Sequence, residues 1–303
     1  MKTSRCLPLL LSLCIGQALA DTPINLRHDA APDVRIAVGN IKGAVSITAW
    51  DRREVQVTGR LGDGAKPLAI TGSNDELTVK VEPQGRSGWL GWGSDNAMGP
   101  SVLELHVPKG ASLDVNVVSA QLGIDGLDGG DIDVNAVSGK VRINARTPSL
   151  SAQSVSGSIE LAGHARRAEL ETVSGDILAP TLGDEASLQT VSGRVQATGG
   201  PWRKLDLSTV SGDVQINGGT AANGSLSVDS MSGDVQLQLP ANVSAAIEAS
   251  SFSGDLRSDF GEVSRHEHGP GSELKANVGG GSGRIHIETF SGDLRIRKKG
   301  NGE

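Results

Sequence analysis

Tyrosine is absent from the 303 residues, and there are only three phenylalanines, three methionines and four tryptophans. Globular cores draw much of their buried area from aromatic side chains, so the core of this chain is built from Val, Ile, Leu and Ala, packed repetitively. Cysteine occurs twice, at Cys6 and Cys14, both inside the first twenty residues, which excludes a disulfide framework for the rest. No later stretch approaches the 18 or more consecutive apolar residues of a spanning helix, so no transmembrane segment is expected in the mature chain. Basic residues are in deficit, 28 against 35 acidic, with a formal net charge of −7, which argues against a nucleic-acid partner.

The opening "MKTSRCLPLLLSLCIGQALA" has Lys2 and Arg5, an apolar run from Leu7 to Ile15, and Ala18 and Ala20 at the spacing signal peptidase accepts. Residues 1–20 read as a secretory signal peptide. Cys14 follows Leu13 rather than a small residue, which disfavours a lipid anchor. Cleavage takes the formal charge to −9. The expected destination is the periplasm, with secretion or the cell surface as alternatives.

Against these absences stand 41 glycines and one recurring phrase. "AVSGKVRIN" begins at 136, "TVSGDILAP" at 172, "TVSGDVQIN" at 209, "SMSGDVQLQ" at 230 and "TFSGDLRIR" at 289. Its glycine falls at Gly139, Gly157, Gly175, Gly193, Gly212, Gly233, Gly254 and Gly292, with gaps of 18, 18, 18, 19, 21, 21 and 38. The last gap contains "GSGRIHI" at 281, read as a further variant, and degraded copies lie upstream at "VVSAQLGI" (117) and "NIKGAVSI" (40). Apolar residues alternate on both sides of the phrase: Leu205 and Leu207 before one corner, Val214 and Ile216 after it. That alternation marks strands with one buried face, and the parity change across the corner marks a bend.

Two short strands in 18 to 21 residues bury too little alone, so each unit needs neighbours. The expected fold is all-β, a parallel β-solenoid (β-helix-like) of 18 to 21 residue coils with two short strands each. About ten coils stacked at ~4.8 Å make a rod roughly 50 Å long. The expected organisation is a single domain over 21–299, irregular with a Trp-rich loop (85–101) to 110 and regular from 111, followed by a tail at 300–303.

The phrase supplies the candidate structural corner: Ser138 and Gly139, Ser156 and Gly157, Ser174 and Gly175, Ser192 and Gly193, Ser211 and Gly212, Ser232 and Gly233, Ser253 and Gly254, Ser291 and Gly292. Glycine permits a positive φ or a close backbone approach, and serine can hydrogen-bond to corner backbone groups. The residue before the Val/Met/Phe column is always small, from Ala136 to Thr289, and fits inside a tight bend.

With "VGNIKGAVSITAWDRREVQVTGR" at 38–60, "LELHVPKGASLDVNVVSA" at 103–120 and the run of "VSGD" corners, the chain resembles a bacterial envelope family of β-strand-repeat proteins that carries an adhesin label and has no agreed chemistry. The resemblance implies an exported β-solenoid and transfers no catalytic residues.

The function expected is that of a non-catalytic, adhesin-like binding or scaffold module of the cell envelope, with an envelope protein or glycan as partner and no cofactor. The alternative is a carbohydrate-active enzyme, for which the scattered charges offer no evident carboxylate pair. Trp89, Leu90 and Trp92, among the glycines of the 85–101 loop, read as a ligand or partner contact or as a cap over exposed strand edges. Asp213, Asp234 and Asp255 would stack in consecutive coils, within reach of a bridging calcium, but read first as solvated turn residues. His266 and His268 supply two metal ligands at most, so no metal site is expected. The "TVS" copies at 172, 190 and 209 suggest an ice-binding ladder, against which the column's small members fit an inward corner better.

Overall fold

The computed structural model describes residues 22–84, 98–265 and 270–299. The expected signal peptide at 1–20 and tail at 300–303 lie outside the described residues. Those described form 24 strands. The N-terminal third holds β1 (Thr22–Asp29), β2 (Arg35–Trp50), β3 (Glu54–Leu61), β4 (Ile70–Gly72), β5 (Glu76–Lys80), β6 (Ser101–Pro108) and β7 (Ser112–Asp128). The middle holds β8 (Ile132–Ser138), β9 (Val141–Ser154), β10 (Ile159–Leu161), β11 (His164–Thr172), β12 (Ile177–Leu182), β13 (Glu185–Ser192), β14 (Val195–Gly199), β15 (Trp202–Ser211) and β16 (Val214–Asn217). The remainder are β17 (Thr220–Ser232), β18 (Val235–Leu239), β19 (Ala245–Ser253), β20 (Leu256–Ser258), β21 (Val263–Arg265), β22 (Ser272–Val278), β23 (Gly283–Ser291) and β24 (Leu294–Lys298).

Alternation decides which side chains face inward. In β15 Leu205, Leu207 and Thr209 are buried, and in β16 Val214 and Ile216 are. The odd step from Thr209 to Val214 is the parity change at the corner. Corresponding segments pair in parallel, so inward residues stack on one another: Leu170 on Leu188, Leu188 on Leu207, Leu207 on Val228. The core is accordingly Val, Ile, Leu and Ala, with Trp202 as its largest fully buried side chain.

The architecture is all-β, but the expected parallel β-solenoid of coils with two short strands each is corrected. The strands belong to a single 24-stranded sheet that turns 338° round an axis, a nearly closed, barrel-shaped sheet. Two features of the pairing separate it from the expectation. Several strands run on through the predicted turns, β2 for 16 residues, β7 for 17 and β9 for 14. Antiparallel partners also join the sheet: β1 with β3, β3 with β6, β4 with β5, and β22 with both β19 and β21. Apolar periodicity reports facing and offset; it does not report how far a strand continues through a bend or which way an edge partner runs.

A second correction concerns order. β23 lies between β17 and β19, and β24 between β18 and β20, so the last strands of the chain occupy an interior slot. "GSGRIHI" is therefore not a corner: Ile285 and Ile287 belong to the strand that enters one, stacked on Leu226 and Val228. The expected stacking of Asp213, Asp234 and Asp255 is interrupted as well, because Asp293 sits between the last two. The N–H of Asp234 donates to Asp213 Oδ1 (3.2 Å), that of Asp293 to Asp234 Oδ1 (3.0 Å) and that of Asp255 to Asp293 Oδ1 (3.1 Å).

The small column before the corner faces the interior. Thr190, Thr209, Ser230 and Thr289, on four adjacent strands, are buried with no hydrogen-bond partner for their hydroxyl oxygens. An unpaired buried hydroxyl costs about 1–3 kcal/mol, and Val occupies the same volume with a better strand preference. Thr209→Val is expected to raise the urea midpoint by the equivalent of about 1 kcal/mol; a fall would show that this hydroxyl is satisfied in solution.

Candidate functional site

The feature that stands out lies one residue beyond the small column, where alternation turns the side chain outward. Val118, Val137, Val155, Val173, Val191, Val210, Met231, Phe252 and Phe290 are all exposed, from 43% at Val118 to 60% at Met231, and Ile41 extends the series at 37%. Register places them side by side. Asn40 and Lys42 pair with Val117 and Ser119, which sets Ile41 beside Val118. Ser230 and Ser251 both pair with Thr289, which sets Phe290 between Met231 and Phe252. The two phenyl rings stack with centroids 4.9 Å apart and planes 10° from parallel. Ten apolar side chains thus form one continuous ladder, and nine strand spacings of ~4.8 Å make it roughly 43 Å long.

The ladder from Val155 to Phe252 lines a groove of about 1010 Å³. Its other wall is the outward column two residues earlier, which includes Gln153, Glu171, Gln189, Asp229 and Glu288. Contiguous exposed apolar surface of this extent is uncommon on a protein that meets only water. Covering the exposed half of ten such side chains is worth on the order of 10 kcal/mol before the costs of association.

The corner beneath the ladder is held by backbone proximity. A Cβ at Gly157, Gly175, Gly193 or Gly212 would run into the carbonyl oxygen of the glycine in the adjoining corner, and Gly254 stands likewise against Gly292, and Gly292 against Gly233. Gly139 and Gly233 add positive φ values of 115° and 127°. Ser138 Oγ donates to the Val118 carbonyl (3.1 Å) and Ser156 Oγ to that of Val137 (3.3 Å). Ser174, Ser192, Ser211, Ser232, Ser253 and Ser291 are exposed beside the ladder.

Trp89, Leu90 and Trp92 lie outside the described residues, as do His266 and His268. The flanks of the tryptophan segment are informative all the same. The Val81 N–H donates to the Gly39 carbonyl (2.9 Å), and Ser101 pairs with Gly43. Val81 and Ser101 therefore stand where other slots enter and leave their short corner, on either side of Ile41 at the end of the ladder. Among the described residues no cluster of three His, Cys, Asp or Glu side chains is placed to hold a metal ion, and no helix is long and apolar enough to cross a membrane.

The ladder was readable in the sequence and was missed. Once Leu207 and Thr209 are assigned inward, Val210 must point outward, and the same parity holds for every copy. The column served only to locate its small neighbour.

The family model for Toastrack DUF4097 matches residues 34–297. Among solved structures, one described as a "putative adhesin" from Bacteroides fragilis is 14% identical, covering 91% of this chain and 98% of its own, with a TM-score of 0.45. Another so described, from Parabacteroides merdae, is 11% identical over 91% and 99%, with a TM-score of 0.48. A "putative lipid binding protein" from Parabacteroides distasonis is 12% identical over 91% and 96%, with a TM-score of 0.38. No curated protein matches the chain. The family match spans the ladder from Ile41 to Phe290 and the corners that carry it: the chain belongs to the Toastrack DUF4097 family.

Proposed function

We propose that this chain is an exported, adhesin-like binding module of the cell envelope that works without catalysis, and that its contact surface is the apolar ladder of the corner. The observation that carries the reading is the unbroken row of half-exposed Ile, Val, Met and Phe side chains over ten adjacent strand positions. A rigid sheet holds the row in place, so a partner meets a preorganised strip and little ordering entropy opposes binding. The signal-like residues 1–20 supply the route of export, and the periplasm is the compartment this reading assigns. The partner class is an envelope protein or glycan.

The test compares the mature protein with two variants, Met231→Ser/Phe252→Ser/Phe290→Ser and Trp89→Ala/Trp92→Ala, first in pull-downs from envelope extracts and then by titration with the purified partner. The ladder variant is expected to lose at least about tenfold in affinity, since three large apolar contacts are removed, while its melting temperature stays close to that of the wild type because all three side chains are exposed. Loss confined to the tryptophan variant would move the contact to the 85–97 segment. Equal binding by all three proteins would remove the ladder from the proposal.

A further inference from the structure

Charge is unevenly distributed around the ladder. In the parallel strands from β7 to β19, the two outward columns on the groove side, two and four residues before the ladder, contain no Lys or Arg. The nearer column places Glu171, Asp229 and Glu288 on the groove wall. The farther one adds Asp133, Glu169, Asp206 and Glu248, all exposed or half-buried. Lys204 and Lys275, which reach these columns, are already engaged, Lys204 with Asp206 (2.9 Å) and Lys275, on the neighbouring edge strand β22, with Glu273, while His286, in the farther column, has Nε2 3.2 Å from Glu288 Oε1 and Nδ1 4.0 Å from Glu248 Oε2. The opposite side of the corner is mixed: Asp176, Asp213, Asp234, Asp255 and Asp293 follow the glycine, and Arg142, Arg257 and Arg295 face outward beyond it together with Glu160 and three glutamines. An apolar strip with an acidic sheet face along one flank calls for a ligand that is apolar on one side and cationic beside it.

Spacing narrows the shape. From Asn135 on β8 to Phe252 on β19 the groove runs along eight parallel strands, seven spacings of ~4.8 Å or roughly 34 Å. A helix presents an apolar stripe about every 3.5 residues, or ~5.2 Å, close to the ladder's repeat. An extended strand presents same-face side chains every ~6.7 Å and drifts out of register within three. We propose that the ladder and its acidic flank bind a cationic amphipathic peptide segment, laid along the groove as a helix of about 22 residues, with its apolar stripe on the ladder and its basic residues over the acidic columns. This rests on the reading of the ladder as the contact surface.

The probes are three labelled 22-residue peptides: one of Leu and Lys with leucines at helical spacing, its Leu/Glu counterpart, and a Leu/Lys peptide of the same composition with the leucines shuffled. Binding to the mature protein is followed by fluorescence anisotropy at two salt concentrations. The patterned Leu/Lys peptide is expected to bind at least about tenfold more tightly than either control. Met231→Ser/Phe252→Ser/Phe290→Ser should weaken it about tenfold, and Glu171→Gln/Asp229→Asn/Glu288→Gln should weaken it and flatten its salt dependence. Circular dichroism confirms that both variants fold. If the Leu/Glu peptide binds equally well while the ladder variant still loses binding, the cationic part falls and the ladder stands as a contact surface. If the patterned peptide binds the ladder variant as well as the wild type, the attraction is diffuse charge and the proposal is overturned. Binding of phosphatidylcholine vesicles, but not of the peptide, would overturn it in favour of a membrane.

Discussion

Gly212→Ala is expected to destabilise the protein by about 3 kcal/mol or more, the upper range for overpacking a filled interior, although it adds one methyl group at a site that is only half-buried. The new Cβ would overlap the backbone of Gly193 in the adjoining corner, with carbonyl oxygen, carbon and nitrogen all in its path. No side chain can rotate to make room, because the obstacle is main chain. Relief requires parting two hydrogen-bonded strands or shifting the register of the corner, and every copy stacked on it shares the displacement. Gly123→Ala is the control: a Cβ there meets nothing within 4 Å, so the substitution should be neutral or stabilise by a few tenths of a kcal/mol through the unfolded chain. Urea titration of both variants measures the difference directly. Equal midpoints would mean that the glycine column is a matter of composition rather than of contact.

Trp202→Ala should cost about 3–5 kcal/mol, the range for removing a large buried aromatic. Trp202 has 0% exposure in a core whose other buried members are Val, Ile, Leu, Ala and Met98, none of which fills the space of an indole. Its indole Nε1 has no hydrogen-bond partner, which separates packing from polar contributions. Trp202→Phe therefore forfeits volume but no hydrogen bond, and should lose less than half as much as the alanine variant. A phenylalanine variant as unstable as the alanine one would show that the indole N–H is bonded in solution.

Much of this arrangement can be read from the chain before any coordinates. The alternation at Leu205, Leu207, Val214 and Ile216, with the parity change between the pairs, assigns the inward face and the bend. The 18 to 21 residue offsets anticipate the parallel registers that set Leu188 on Leu207 and Leu207 on Val228. Closure of the sheet escaped because it depends on strands such as β7 continuing through a turn-like stretch, where "VSAQLG" offers no breaker beyond its final glycine. The antiparallel strands at either end escaped because short segments such as "ITG" and "VSR" carry no phrase to align. The slot of β23 escaped for a different reason. "TFSGD" matches its neighbours equally well wherever it is inserted, so a repeat that specifies local pairing is degenerate about order. As for the site, the ladder follows from parity at Val210, whereas the acidic flank emerges only when residues far apart in sequence, such as Glu171 and Glu288, are brought to one column.

The interior slot of β23 and β24 bears on how the molecule is made. Synthesis delivers β17, β18, β19 and β20 before the strands that must lie between them exist, so a growing chain holds two facing, unsatisfied edges until β23 and β24 have been made. Neither edge can be satisfied by sequential addition from the N-terminus, and direct pairing of β17 with β19 would be a misfold that the final strands have to displace. A chain cut short near residue 281 would keep most of its sheet yet leave both edges available to proteases and to other chains. The fold thus distinguishes a chain that has made β23 and β24 from one that stops short of them, and assigns that test to residues 283–298.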